Sequence, residues 1–221
     1  MNFRQMIAAR HSCRSFLDNP VDAATITSLV EIAQCSPSWG NTQPCRIWVA
    51  GGQTARSIRQ GMVVKAEAGC PPLPDIPMPS KFQGELQARY VEVGKSVLEV
   101  LGIDKKDTEM RNAHRANNYN AFGAPVLVYL TVPEGKSAYV MLDAGAFINA
   151  FCLAAADQGL ATCIQATLAH YPEIVRQYLP IPVEEKIVVG VALGYADTAA
   201  PINCFRSTRE PVDKILTLTG F

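Results

Sequence analysis

The chain has 221 residues, and its 20 basic and 20 acidic side chains give a formal net charge of zero. That balance offers no basic excess to attract nucleic acid or an anionic membrane, while an apolar share of 48% is enough for a sizeable core in one domain spanning 1–221. A charged share of only 18% leaves little polar surface and hints at an apolar face covered by another chain.

From the N-terminus, residues 2–10 form a short helix with Phe3, Met6 and Ile7 at helical spacing, and no apolar signal core. Residues 11–20 are polar and extended. Asp22 caps a helix that gathers Ile26, Leu29, Val30 and Ala33 on one face and stops near Ser36-Pro37. A loop over 37–44 leads to a strand at 46–50, closed by Gly51-Gly52. Thr54 starts a helix that runs to about Ala68. Five prolines between Cys70 and Pro79 exclude a helix or a central strand there and leave a surface excursion. Helices over 81–101 and 105–118 extend it, so 71–118 is expected as a helical excursion.

An apolar, β-branched strand follows at 126–132, and then a long apolar helix at 137–158. Its core contains Asp143 and Asn149 and falls short of the ~20 apolar residues of a membrane span, so a helix buried in protein is expected. A strand at 161–164, a helix at 172–178 and a buried strand at 186–193 complete the body. Residues 198–221 form a tail, extended over 203–209 and helical over 211–218. Short strands among dominant helices indicate α+β or a three-layer α/β sandwich.

Four polar clusters can carry chemistry. Arg10, His11, Ser12, Cys13 and Arg14 offer two guanidinium forks and a hydroxyl, suited to a phosphate or to the carbonyl edge of a flavin. Pro37, Ser38, Trp39, Gly40, Asn41, Thr42 and Gln43 combine directional polar groups with a stacking face. Gln165, Ala166 and Thr167 end a run of small residues that lets backbone N–H groups approach a ligand. Arg206 and Arg209 sit three apart in the tail. Each cluster alone is also what an ordinary turn, loop or surface ion pair contains.

The sequence has no phosphate-binding Walker loop, no G-x-G-x-x-G opening a helix, no H-E-x-x-H and no G-x-S-x-G. Its seven cysteines are scattered, never as C-x-x-C, and with three histidines they make poor material for zinc. Reduced thiols in a cytoplasmic protein are the expectation. With no acid, base or nucleophile prominent, the chemistry falls to a cofactor.

In order along the chain, Arg10-x-Ser12-x-Arg14, Pro37-Ser38-x-x-Asn41-x-Gln43-Pro44, Phe122-Gly123-Ala124-Pro125, Asp143-x-Gly145, Gly159-Leu160 and Gly194-Tyr195 resemble the nitroreductase family. The proline run and residues 81–118 are similar to the branch that includes nitrobenzoate reductases. The resemblance implies an α+β, three-layer α/β/α sandwich in an intertwined homodimer, with FMN at the subunit interface. Arg10, His11, Ser12 and Arg14 are then expected on the ribityl-phosphate and the pyrimidine side of the ring, with Arg14 beside the edge that becomes anionic on reduction. Pro37, Ser38, Trp39 and Asn41 are expected from the partner chain, Gln165, Ala166 and Thr167 along the flavin face, and Arg206 and Arg209 on the phosphate.

The implied activity is ping-pong reduction of nitroaromatic compounds by NAD(P)H, with no protein group bonded covalently to substrate. The same flavin fold acting on quinones, enones or another small aromatic is the alternative. A flavin protein without turnover and a cofactor-free module are more distant ones. Three positions depart from the family's pattern: Ser207 stands where relatives have lysine, Ala166-Thr167 where many have Glu-Gly, and Trp39 where serine is common.

Overall fold

In the computed structural model, which describes residues 2–79, 81–134 and 137–221, four strands form one antiparallel sheet. They are β1 (Arg46–Gly51), β2 (Val126–Pro133), β3 (Ala161–Gln165) and β4 (Glu185–Gly194), in the order β1-β2-β4-β3. β2 is buried from Val126 to Val132, as its unbroken apolar run demands. Alternate residues point to opposite faces, and each face has its own core. Val126, Val128, Leu130 and Val132 pack under α2 (Ala23–Ala33) and α6 (Ala138–Asp157). Leu127, Tyr129 and Ile187 pack under α3 (Gly52–Glu67) and α7 (Pro172–Tyr178), with Tyr119 of α5 (Thr108–Tyr119) against the same cluster. The result is the expected three-layer sandwich. Two further helices, α1 (Phe3–Ala9) and α4 (Gly84–Val100), flank it.

Local chemistry sets the helix ends. Asn2 and Gln5 form a reciprocal capping box at the start of α1, and Asp22 accepts the Thr25 N–H at 2.8 Å to start α2. α6 is long and apolar enough by composition to cross a membrane, yet Ile148, Phe151, Cys152 and Ala155 lie in the core between α2 and the sheet. It ends where Gly159, at φ +75°, lets the Leu160 N–H return to the Ala155 carbonyl at 2.8 Å. That turn feeds β3 directly.

The helices expected over 81–101 and 105–118 begin a few residues later, α4 at Gly84 and α5 at Thr108, and, as expected, the prolines leave 70–79 without helix or strand. That segment is nonetheless tied down. Leu73 N–H donates to the His170 carbonyl at 3.0 Å, and the Tyr171 hydroxyl to the Cys70 carbonyl at 2.8 Å. The Asp75 carboxylate pairs with Arg176 at 2.7 Å and accepts the Ile187 N–H of β4 at 2.9 Å. In the tail, the helix expected over 211–218 is reduced to one 3-10 turn, Val212–Lys214. Val212, Ile215, Leu216 and Leu218 are all exposed, and so short a segment with nothing to pack on cannot offset the cost of nucleating a helix.

Candidate functional site

The Arg10 cap of α1 has extended backbone, and the chain continues alongside β3. Ser12 bridges Thr162 in parallel, and Cys13 N–H donates to the Thr162 carbonyl at 3.0 Å. Arg14 follows two residues past this isolated bridge, and the parallel direction carries it towards the Gln165 end of β3. On its other side, Arg14 N–H donates to Asn203 Oδ1 at 2.7 Å. Asn203 Nδ2 in turn donates to the carbonyls of Ser15 at 2.8 Å and Asp197 at 2.9 Å. One buried carboxamide thus ties the tail to the N-terminal strand segment.

The first and fourth clusters are thereby brought together. Arg10, His11, Ser12, Arg14, Arg206 and Arg209 line one cavity of about 710 Å³. Ile7 and Ala8 of α1, Val93 of α4, Asn149 of α6, Phe205 and Ser207 complete its wall. No acidic side chain lines it, and among the described residues none of the four guanidiniums is paired with a carboxylate. Backbone carbonyls hold three of them instead. Arg206 donates to Asn203 and Phe205 at 2.8 and 2.9 Å, Arg209 to Ser207 and Thr208 at 3.1 and 2.8 Å, and Arg14 to Ser12 at 3.3 Å. Arg14 also lies 5.8 Å over the Phe205 ring. These contacts orient the cations without neutralising them, which suits a multiply charged anion.

His11 adds an acceptor. Its Nδ1 lies 2.8 Å from the Ala9 carbonyl and so carries the proton. Nε2 is then a bare lone pair, buried and without a partner. Burial lowers the His11 pKa, the Ala9 bond opposes this, and Arg206, Arg10 and Arg14 lower it further. The imidazole is therefore neutral at pH 7.

The third cluster sits at the end of β3. Gln165 is buried, its Nε2 donates to the Asn118 carbonyl at 3.0 Å, and its Oε1 has no partner. Ala166 and Thr167 open a 3-10 turn, Ala166–Ala169, that seats Leu168 on β4 at Gly190. The neighbouring thiols are not reactive groups. Cys13, Cys152 and Cys163 are buried and free, and burial raises all three, Cys163 to about 12. Among the described residues no group of His, Cys, Asp and Glu could hold a metal ion.

The second cluster does not join the arginine cavity within one chain. Pro37 and Ser38 line a separate cavity of about 260 Å³ with Cys45, Asp143 and Phe147. Trp39 is 63% exposed and packs on Tyr139 in the first turn of α6, ring centroids 4.5 Å apart. Asn149, on the arginine cavity, is ten residues further along α6, roughly 15 Å of helix. The loop is strained: Asn41 and Gln43 have φ of 58° and 46°, a conformation that costs a non-glycine residue about 1 kcal/mol or more.

Sequence reasoning missed Val93 and Asn149 as wall residues and Asn203 as the staple. Only Asn149 carried a signal, a carboxamide that with Asp143 interrupts the apolar core of its helix.

A model described as the nitroreductase family matches residues 7–195. The chain is 31% identical over 219 residues to a 4-nitrobenzoate reductase of Nocardioides sp. (strain LMS-CY), covering 97% of this chain and 89% of that one. It is 29% identical to a 4-nitrobenzoate reductase of Pseudomonas putida, covering 100% and 96%. In structure it is similar to the FMN and NADPH-dependent nitroreductase NfnB from Sphigopyxis sp. strain HMH, with a TM-score of 0.95, 30% identity and full coverage of both chains.

Proposed function

The chain belongs to the nitroreductase family, and on that premise we propose that it is an FMN-dependent NAD(P)H oxidoreductase that reduces nitroaromatic compounds as a homodimer. The observation that carries this reading is the cavity where four unneutralised guanidiniums meet the buried, unpartnered Nε2 of His11. That donor set fits FMN. Arg206 and Arg209 would hold the phosphate, Arg10 and Ser12 the ribityl side, and the His11 lone pair would offer an acceptor to a hydroxyl. Bound FMN supplies the two-electron chemistry that no side chain here can perform.

The protein contributes position and charge. Arg14, anchored by Asn203 and Phe205, sets a fixed cation beside the ring edge that gains negative charge. Such a preorganised cation stabilises charge without reorganising. Gln165, Ala166 and Thr167, at the end of β3 towards which the Ser12–Arg14 segment runs, would flank the ring.

Pro37, Ser38, Trp39 and Asn41 serve the site of a second copy. Support comes from their separation from the arginine cavity and from the exposed Trp39–Tyr139 pair. The exposed apolar tail, from Val212 to Phe221, is what a second copy would cover. The scattered free thiols fit the cytoplasm.

The test is a visible spectrum of the purified protein under anaerobic conditions. Yellow protein that bleaches with NADH or NADPH and recovers on adding 4-nitrobenzoate is the expected result. Recovery with quinones but not with nitroaromatics would reassign the acceptor, and colourless protein that takes up no FMN would end the reading.

A further inference from the structure

A groove of about 660 Å³ lies between α3 and α5, closed at one end by the turn after α4. On α3 it is lined by Arg56, Arg59, Gln60, Val63 and Val64, spaced three and four apart and so on one face. Arg59 Nη1 reaches Asn120 Oδ1 at 3.4 Å, which sets the N-terminal half of α3 against the C-terminal end of α5. Met110, at the other end of α5, lines the same groove as Val63 and Val64. The groove is therefore graded, with two guanidiniums at one end and apolar side chains at the other. Eight residues separate Arg56 from Val64, roughly 12 Å of helix.

The cationic end is undersupplied with acceptors. Arg59 is half buried, its Nε has no partner, and its only described hydrogen bond goes to a neutral carboxamide. Arg56 donates to Gln53 Oε1 at 3.1 Å. No acidic side chain lines the groove. Asp18 approaches from an adjoining cavity of about 210 Å³ but forms no ion pair with either arginine. A partly desolvated guanidinium with open donor positions is stabilised by a planar carboxylate, which it can bind with two parallel bonds.

We propose that this groove is a second small-molecule site, separate from the arginine cavity, that binds an arylcarboxylate with its carboxylate on Arg59 and Arg56 and its rings among Val63, Val64 and Met110. The site stands independently of the flavin and the dimer, on the graded lining and on a guanidinium that Asp18 influences only through space and whose only described hydrogen bond goes to Asn120.

Biphenyl-4-carboxylate, two rings in line behind a carboxylate, is the probe. It is titrated calorimetrically into FMN-saturated protein, beside the neutral 4-phenylbenzamide. One site per chain is expected, at least tenfold weaker for the amide and for Arg59→Met, and lost in Ala113→Trp, which fills the groove from α5. FMN retention and bleaching by NADPH should be unchanged in both variants. No binding, binding untouched by both variants, or binding displaced by raising FMN would overturn the proposal. A colourless protein would count against the flavin reading alone, because Arg59→Met would still be compared with wild type for carboxylate binding.

Discussion

Both carboxylate oxygens of Asp143 accept the main-chain N–H of Trp39, at 3.2 and 3.1 Å, across 104 residues of sequence. Asp143 is 7% exposed, so a charged acceptor has been spent on holding one turn of loop against α6. Cys45 lies close by, its thiol pushed to about 11 by burial first and by the Asp143 charge second. Asp143→Asn should cost ~1.5–3 kcal/mol, the worth of a hydrogen bond to a charged group, and should bring the Cys45 pKa down. Urea denaturation reads the first effect. The second appears as faster alkylation of Cys45 at mildly alkaline pH, and an unchanged rate would remove Asp143 as its neighbour.

The two ends of the arginine cavity separate in their effects. Arg209→Ala should weaken FMN binding by ~1.5–3 kcal/mol, measured by quenching of flavin fluorescence. Arg14→Ala should leave more of that affinity intact but make the bound flavin harder to reduce, because the cation that favours the anionic form is gone. Spectroelectrochemistry reads that shift. A potential equal to wild type would place Arg14 away from the ring.

All three histidines, His11, His114 and His170, have pKa values lowered chiefly by burial. Unfolded, each titrates near the ordinary 6.5. Above that pH both states are neutral and stability is full. As pH falls through 6.5 towards the lower folded values, the unfolded chain binds protons first, so stability drops. The melting temperature should decline across this acid window, and His170→Gln should flatten the slope even if it lowers the plateau. His170 also meets the Tyr119 hydroxyl at 3.1 Å, a contact the glutamine amide can replace.

Gly190 has no room for a side chain. A Cβ there would collide with Leu168, in the turn that follows Gln165. Gly190→Ala should cost ~1–3 kcal/mol as overpacking and displace the 165–167 segment. Chemical denaturation checks the first figure, and a changed flavin spectrum the displacement.

The ion pair of Asp75 and Arg176 is mostly shielded, with side-chain exposures of 14% and 18%. Asp75→Ala leaves Arg176 and the Ile187 N–H short of an acceptor and should cost ~1.5–3 kcal/mol. Limited proteolysis should then cut within 70–83 before the body of the protein is touched. Equal protection in both proteins would mean that the other two anchors hold the segment alone.

The layered fold was legible because its signals are local and periodic. The Asp22 cap, the apolar run of β2 and the long α6 each fall within a residue or two of where spacing puts them. The tail helix was misjudged because apolar spacing alone cannot tell whether a partner surface exists. At the site, the arginine clusters were visible as composition, and their meeting was implied only by family resemblance. What joins them is Asn203, whose bonds to Arg14 and Ser15 span 189 and 188 residues. No local pattern marks a carboxamide that will satisfy groups so far away. Nor did the sequence show that the prolines of 70–79 are anchored by Asp75, a single acidic residue among them.

The same long span bears on synthesis. A chain leaves the ribosome at about 5–20 residues per second, so the 189 residues between Arg14 and Asn203 delay their union by roughly ten seconds or more. β4 ends at Gly194, nine residues before Asn203, so the last strand of the sheet is made only about 0.5–2 seconds ahead of that union. Arg206 and Arg209 emerge after it. The four arginines thus come together only after the last strand has been made, so the cationic cavity is closed by the tail and not by the sheet or its helical layers.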